Sequence, residues 1–328
     1  MKLFVTTHYP QHDGTHMLDW IKASAAADVH RKHQLWDDPE TADAILFFEG
    51  HAGTDPLRLG ILFNPIYRKY KDKCFLYQDG DYAYPFMRGL YPSLLKEHHR
   101  PGWCEGAPYF ARQAVNDAVT AAVDLNPERK WLASFVGANN CAVRTTILSW
   151  KHPQIYVQDT TGKHAWQMPA EDRKRYEASY AQVCAESQAI LAPRGLGPST
   201  YRLYEAMEIG RCPIILSDDW IPPPHIDWGG CSVRLSESNA NDAKEIVNAI
   251  SMENIDEKGS RAAEIFKQAI DTPHAWHYIA TQMEALAGTT RGKTSNLTAF
   301  SKALKSSHGS IVLGSILRSL RKGGRMFS

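Results

Sequence analysis

Between Ile190 and Gly210 the chain reads as an apolar run, a loop with glycines at 195 and 197, and a helix-forming stretch closed by a third glycine. Gly195 and Gly197 let a backbone come close to a ligand. Ser199 is a good N-cap for the helix and Gly210 a good residue just past its end. Cys212–Leu216 then returns as a strand. A helix that starts at the carboxyl end of a parallel strand points free N–H groups and its positive dipole end outward, which favours phosphate. Ser199, Arg202 and Glu205 recur at intervals of three and are expected on one helix face. Arg194 projects from the loop above them. A guanidinium holds a diphosphate through paired hydrogen bonds, and a carboxylate one turn on suits ribose hydroxyls. The plainer alternative is a surface ion pair between Arg202 and Glu205, worth at most about 0.5 kcal/mol. The loop is neither G-x-G-x-x-G nor a Walker loop, which needs a lysine.

The elements that position this loop follow from hydrophobic patterning. Apolar runs at Leu3–Thr7, Ala44–Phe48, Cys74–Gln78, Trp131–Val136, Ile155–Gln158, Ala189–Ala192, Cys212–Leu216 and Cys231–Leu235 read as buried strands. Helical spacings fall between them: Met17, Ile21, Ala25 and Val29; Ala114, Ala118 and Ala122; Tyr176, Tyr180 and Val183; Leu203 and Met207; Ile246 and Ile250. Strands alternating with helices predict an α/β protein with parallel sheets covered on both faces. The alternation runs twice, broken by the polar Asn126-Pro127-Glu128-Arg129-Lys130.

Certain residues carry a family likeness. Pro193-Arg194-Gly195, Ser199, Arg202, Glu205-Ala206, Gly210, Pro213, Leu216-Ser217, Trp220, Pro222 and Ile226-Asp227-Trp228 together resemble the exostosin family of glycosyltransferases. Upstream, Ser134-Phe135 with Gly137 and Arg144 resembles that family's phosphate-contact region. The likeness runs from about residue 131 to 236 and is poor before it. It implies a GT-B architecture, two Rossmann-like domains facing across a cleft. It implies an inverting transfer of a hexosyl or glucuronyl type from a nucleotide sugar, commonly a UDP-sugar, to a glycan or glycolipid acceptor, with no obligate metal or cofactor. Carried over by motif, Arg144 and Arg194 face the diphosphate, Gly195, Ser199 and Arg202 complete its cradle, and Glu205 holds the ribose. The expected domains are an acceptor domain at 1–128 and a nucleotide-sugar domain at 129–258. Terminal helices at 259–287 return to the first domain, and 288–328 form a linker and tail. Two other readings stay open: a non-catalytic glycan-binding or partner subunit, and a nucleotide-sugar epimerase or hydrolase.

An inverting transfer needs a general base for the acceptor hydroxyl, expected at a strand's carboxyl end in the first domain. Asp79 and Asp81, after the Cys74–Gln78 strand, are the first candidates, and Glu49 and His51 the reserve. Asp79-Gly80-Asp81 also has D-x-D spacing, but two carboxylates alone make a thin site for a hard cation, so no metal is expected. Tyr77, Tyr82, Tyr84, Phe86, Tyr91 and Trp103 read either as a wall on which sugars stack or as ordinary core. Trp220 and Trp228 read equally as packing. The 14 histidines show no H-E-x-x-H spacing.

The charge balance is uneven. Eight basic and no acidic residues follow Glu284, so a chain of net +1 has a body of net −7. The net charge of +1 argues against a chain-wide nucleic-acid footprint, whereas the asymmetry points to the tail as a membrane or polyanion contact. Leu313, Ile316, Leu317 and Leu320 share a helical face beside Arg318, Arg321, Lys322 and Arg325, a pattern that lies on an anionic membrane or docks on the acidic body. The apolar run at the N-terminus is too short for a signal segment, and no stretch of 18 apolar residues exists. Six cysteines without a C-x-x-C pair suit free thiols. The expectation is a cytoplasmic protein, peripheral at the membrane through residues 309–328.

Overall fold

The computed structural model describes residues 1–10, 15–50, 55–110, 116–125, 127–163, 165–289, 313, 314 and 317. They form two compact units. The first comprises Met1–Gln113, Ile221–Pro224 and the chain from Ile270 on; the second comprises Ala114–Trp220 and His225–Ala269.

The first unit is built on six parallel strands: β1 (Lys2–Thr6), β2 (Gln34–Leu35), β3 (Ala44–Glu49), β4 (Cys74–Gln78), β5 (Gly89–Tyr91) and β6 (Cys104–Gly106). Their order is β2-β1-β3-β4-β5-β6. The chain winds outward in both directions from the junction of β1 and β3, with Thr6 opposite Phe47 at its carboxyl end. In such doubly wound sheets the crevice at the junction is where ligands bind. Every residue of β3 and β4 is buried, as continuous apolar runs covered on both faces should be. Tyr77, Tyr84, Phe86 and Tyr91 are buried, with Tyr82 and Trp103 packed partly buried against the same core. The aromatic cluster is therefore core and not an open wall for sugars. Helix α1 (Thr15–Ala27) packs on the chain's helix Thr272–Gly288. Ser24 Oγ donates to the carbonyl of Thr272 and accepts from the N–H of Trp276, which is fully buried.

The second unit has five parallel strands: β7 (Trp131–Gly137), β8 (Ile155–Asp159), β9 (Ser187–Pro193), β10 (Cys212–Leu216) and β11 (Val233–Leu235), in the order β11-β10-β9-β7-β8. The fold class is thus the expected one, α/β with two parallel sheets, and the second sheet also reverses direction, here between β7 and β9. The strand expected at Cys231–Leu235 is shorter. Asp227 caps a single turn over Trp228–Cys231 by accepting the N–H of Gly230, and pairing starts only at Val233. The helix Asp117–Ala121 packs on the helices Ala170–Ala185 and Tyr201–Ile209, so the second unit starts ahead of the proline-containing break at 126–130. Ile255–Ile265 likewise belongs to this unit: Gly259 lies against the carbonyl of Gly210, and a Cβ there would come within 2.6 Å of it. Of the expected terminal helix pair, only Thr272–Gly288 returns to the first unit.

Candidate functional site

The second sheet's junction brings together the loops after β7 and β9. The loop after β9 begins with the N–H of Arg194 donating to Leu216 O (3.0 Å) and closes on itself through Gly195 N–H to Gly197 O (3.1 Å). Helix Tyr201–Ile209 follows and ends at Gly210 with φ of 73°, the left-handed conformation expected of it. Its N-cap is Thr200 and not Ser199. Ser199 lies one residue before this cap, outside the helix, and is buried, so it does not share the face of Arg202 and Glu205 in the way the spacing predicts. The side chain of this N-cap makes no capping hydrogen bond among the described residues.

The three arginines have different surroundings. Arg144, on the helix Ala142–Leu148, is buried; it donates to the carbonyls of Arg194 (2.8 Å), Pro193 (3.2 Å) and Ala138 (3.3 Å). It braces the loop from beneath. A Cβ at Gly195 would sit 3.1 Å from its Nη2, so glycine allows this close approach. Arg202 stacks on Phe135, donates from Nε to Val136 O, and presses Nη2 against Gly137. Arg194 is about one third exposed and pairs through Nε with both carboxylate oxygens of Glu237 at 3.0 Å. Glu237 is held in turn by the N–H of Asp218. Glu205 accepts from Tyr180 Oη at 2.6 Å and forms no ion pair with Arg202 among the described residues. Trp220 is buried edge-on against Trp228 at 5.2 Å, as packing.

A polar cluster occupies the first sheet's junction, where β1 and β3 end. Glu49 is fully buried. Its oxygens accept from Thr7 Oγ1 (2.7 Å) and the N–H of His8 (2.6 Å). Burial pushes its carboxyl up to about 7, against the pull of those hydrogen bonds and of Arg58. Arg58, in a left-handed conformation with φ of 59°, is buried and donates to the carbonyls of Gly50, Asp55 and Pro56. It faces Glu49, Tyr9, Asp55 and Asp79 electrostatically. Tyr9 Oη donates to Asp55. Asn64 has its oxygen fixed by the N–H of Ile66, so its amide donates to His8 Nδ1 (3.2 Å), and neutral His8 carries its proton on Nε2. Burial lowers the His8 pKa and keeps the ring neutral.

Of the expected bases, Asp79 is buried beside this cluster with its N–H on Glu49 O, Asp81 is exposed, and His51 lies outside the described residues. Among the described residues no group of three or more His, Cys, Asp or Glu is placed to hold a metal ion. The participation of Thr7, Tyr9, Asp55 and Arg58 carries no sequence signal. They are strewn over fifty residues, and only the sheet's winding order collects them.

Residues 104–250 match the model of the exostosin GT47 domain. Over that stretch the chain is similar to the exostosin family. An Exostosin-1 homolog of Caenorhabditis elegans is 26% identical over 183 residues, 51% of this chain and 47% of that relative. Exostosin-1 of Drosophila melanogaster is 26% identical over 175 residues, 48% of this chain and 23% of the relative. The chain thus matches about half the length of the first and a quarter of the second. Among solved structures, Anabaena Alr3699/HepE in complex with UDP is similar at 11% identity and a TM-score of 0.39, over 87% of this chain and 100% of that one. The stretch similar to the exostosin GT47 domain begins at Cys104 in β6 and contains all five strands of the second sheet, hence both loops of its junction. The Glu49 cluster lies outside it.

Proposed function

We propose that this protein is an inverting glycosyltransferase that moves a sugar from a nucleotide sugar, a UDP-sugar, to a glycan acceptor. The observation that carries the reading is the junction of the second sheet. There a helix N-terminus, a glycine loop and the partly exposed Arg194 meet at the carboxyl ends of β7 and β9. Diphosphate charge grows as the leaving group departs, and fixed cations and helix N–H groups stabilise it without reorganising. Arg194 and Arg202 fill that role, Arg144 holds the loop that presents them, and Glu205 receives the ribose hydroxyls.

The acceptor is handled by the first unit, where Glu49 is the titratable carboxyl that fits a proton acceptor working near neutral pH. This moves the base from Asp79 and Asp81 to the reserve candidate. The test is UDP release from a panel of UDP-sugars, each with and without oligosaccharide acceptors. Acceptor-dependent release supports transfer, release that ignores the acceptor supports hydrolysis, and UDP binding without release supports a non-catalytic subunit. Residues 309–328 are proposed to rest on an anionic membrane surface, which suits a lipid-linked acceptor.

A further inference from the structure

Glu49 is a carboxyl at the first sheet's junction, yet its side chain is fully buried, so an acceptor sugar has no direct access to it. What reaches the surface is its partner. Thr7 is only partly buried, and its Oγ1 lies 2.7 Å from Glu49 Oε2. A hydroxyl has one proton to donate and two lone pairs to accept with. An ionised carboxylate only accepts, so the Thr7 proton points at Glu49. One Thr7 lone pair takes the N–H of Tyr9 at 3.0 Å. The other has no partner among the described residues. The opposite oxygen of Glu49 is anchored by the N–H of His8, which fixes the carboxylate plane.

Resting on the transfer reading above, we infer that Thr7 is the residue that touches the acceptor and that Glu49 takes the acceptor's proton through it. The acceptor hydroxyl donates to the remaining Thr7 lone pair. As its oxygen bonds to the anomeric carbon, its proton passes to Thr7 Oγ1 while the Thr7 proton passes to Glu49 Oε2. The bond from the anomeric carbon to the diphosphate oxygen breaks, and its electron pair leaves with the diphosphate. Glu49 ends as a carboxylic acid. The charged and titratable groups around it are Arg58, Tyr9, Asp55, Asp79 and His8. The arginine favours the ionised form that starts the cycle.

The experiment measures UDP release with UDP-glucose, UDP-glucuronic acid and UDP-N-acetylglucosamine against an oligosaccharide library, from pH 5 to 9. It compares the unaltered chain, Thr7→Val, Thr7→Ser and Glu49→Gln. Thr7→Val is expected to lower kcat by about 10²–10⁴-fold, the usual size of a proton-transfer contribution, with UDP affinity unchanged. Thr7→Ser restores most of the rate. Glu49→Gln loses the rise in rate that the unaltered chain has near pH 7. A second readout needs no turnover: ¹³C NMR titration of the Glu49 carboxyl, whose midpoint rises in Thr7→Val because the charged form loses a hydrogen bond. Turnover that Thr7→Val leaves intact overturns the relay and spares the transferase reading, as does a Glu49 midpoint unmoved by that substitution. An unaltered chain that binds UDP but turns over no donor overturns the transferase reading and the relay with it.

Discussion

Arg144 and Arg194 meet at one loop, yet their neighbours assign them opposite duties. Arg144 is committed to three carbonyls, so Arg144→Met leaves buried acceptors without a donor. A cost of about 1–3 kcal/mol per stranded group is expected in urea unfolding. Arg194 is about one third exposed and held by a carboxylate at one edge. Arg194→Ala is expected to lower stability by no more than about 1 kcal/mol, the upper end for surface ion pairs, while weakening UDP binding about 10–100-fold. Isothermal titration with UDP checks it, and equal affinity in the two chains removes Arg194 from the site. Glu49 gives a pH prediction. Its folded-state pKa of about 7 is above the ordinary 4.5, so the folded chain holds a proton that the unfolded chain has released between those values. Its contribution to stability is therefore highest below about pH 4.5 and falls as pH rises, by roughly 3 kcal/mol by pH 7, then levels. Glu49→Gln should remove that slope. Urea midpoints of the two chains at pH 5, 6, 7 and 8 measure the difference, and parallel curves disprove the assignment.

At the scale of elements, the strand–loop–helix from β9 to Gly210 was legible because its signals are local: an apolar run, two loop glycines and a closing glycine lie within one short segment. The cap was misplaced by one residue because Ser199 and Thr200 are both good caps, and only the bonds of Ser217 Oγ to Pro198 O and Arg194 N–H to Leu216 O show where the loop ends. The short strands β2, β5 and β6 were not legible. Two or three residues carry no period, and they are strands only because long neighbours lend them hydrogen bonds. The Glu49 cluster was half legible: its carboxylate was a reserve choice, whereas no motif or spacing in the sequence marks Arg58. Gly210 offers a clean element-scale test. A Cβ there meets nothing closer than 3.5 Å, so the cost of substitution is the left-handed backbone alone. Gly210→Ala should cost about 1 kcal/mol and Gly210→Asn less, since asparagine tolerates that conformation. At Gly259 a Cβ lies 2.6 Å from the carbonyl of Gly210, so Gly259→Ala must push two elements apart. A cost of about 1–3 kcal/mol is expected. Thermal unfolding of the three variants ranks them, and an inverted order refutes the contact.

Over the whole molecule the distribution of charge matters more than its sum. A body of net −7 and a tail with eight basic residues repel and attract an anionic surface respectively, so the total of +1 predicts neither behaviour. No helix among the described residues is long and apolar enough to cross a membrane. Membrane contact by those residues would therefore be of the surface kind, where apolar side chains and lysine or arginine act together. Leu313 and Leu317, four residues apart and so on one helical face, are each about half exposed, at 50% and 49%. Arg318, Arg321, Lys322 and Arg325 follow closely. At about 1 kcal/mol per basic residue near an anionic leaflet, these four supply on the order of 4 kcal/mol, enough for reversible attachment. The chain is expected to co-sediment with vesicles of mixed neutral and anionic lipid at low salt and to be released as salt shortens the screening length. A chain ending at residue 308 should stay in the supernatant at every salt concentration while binding UDP as before. Co-sedimentation that persists after the truncation would place the contact on the body instead. Vesicles of neutral lipid alone separate the two contributions: residual binding there measures the leucine face, and its absence assigns the attachment to charge.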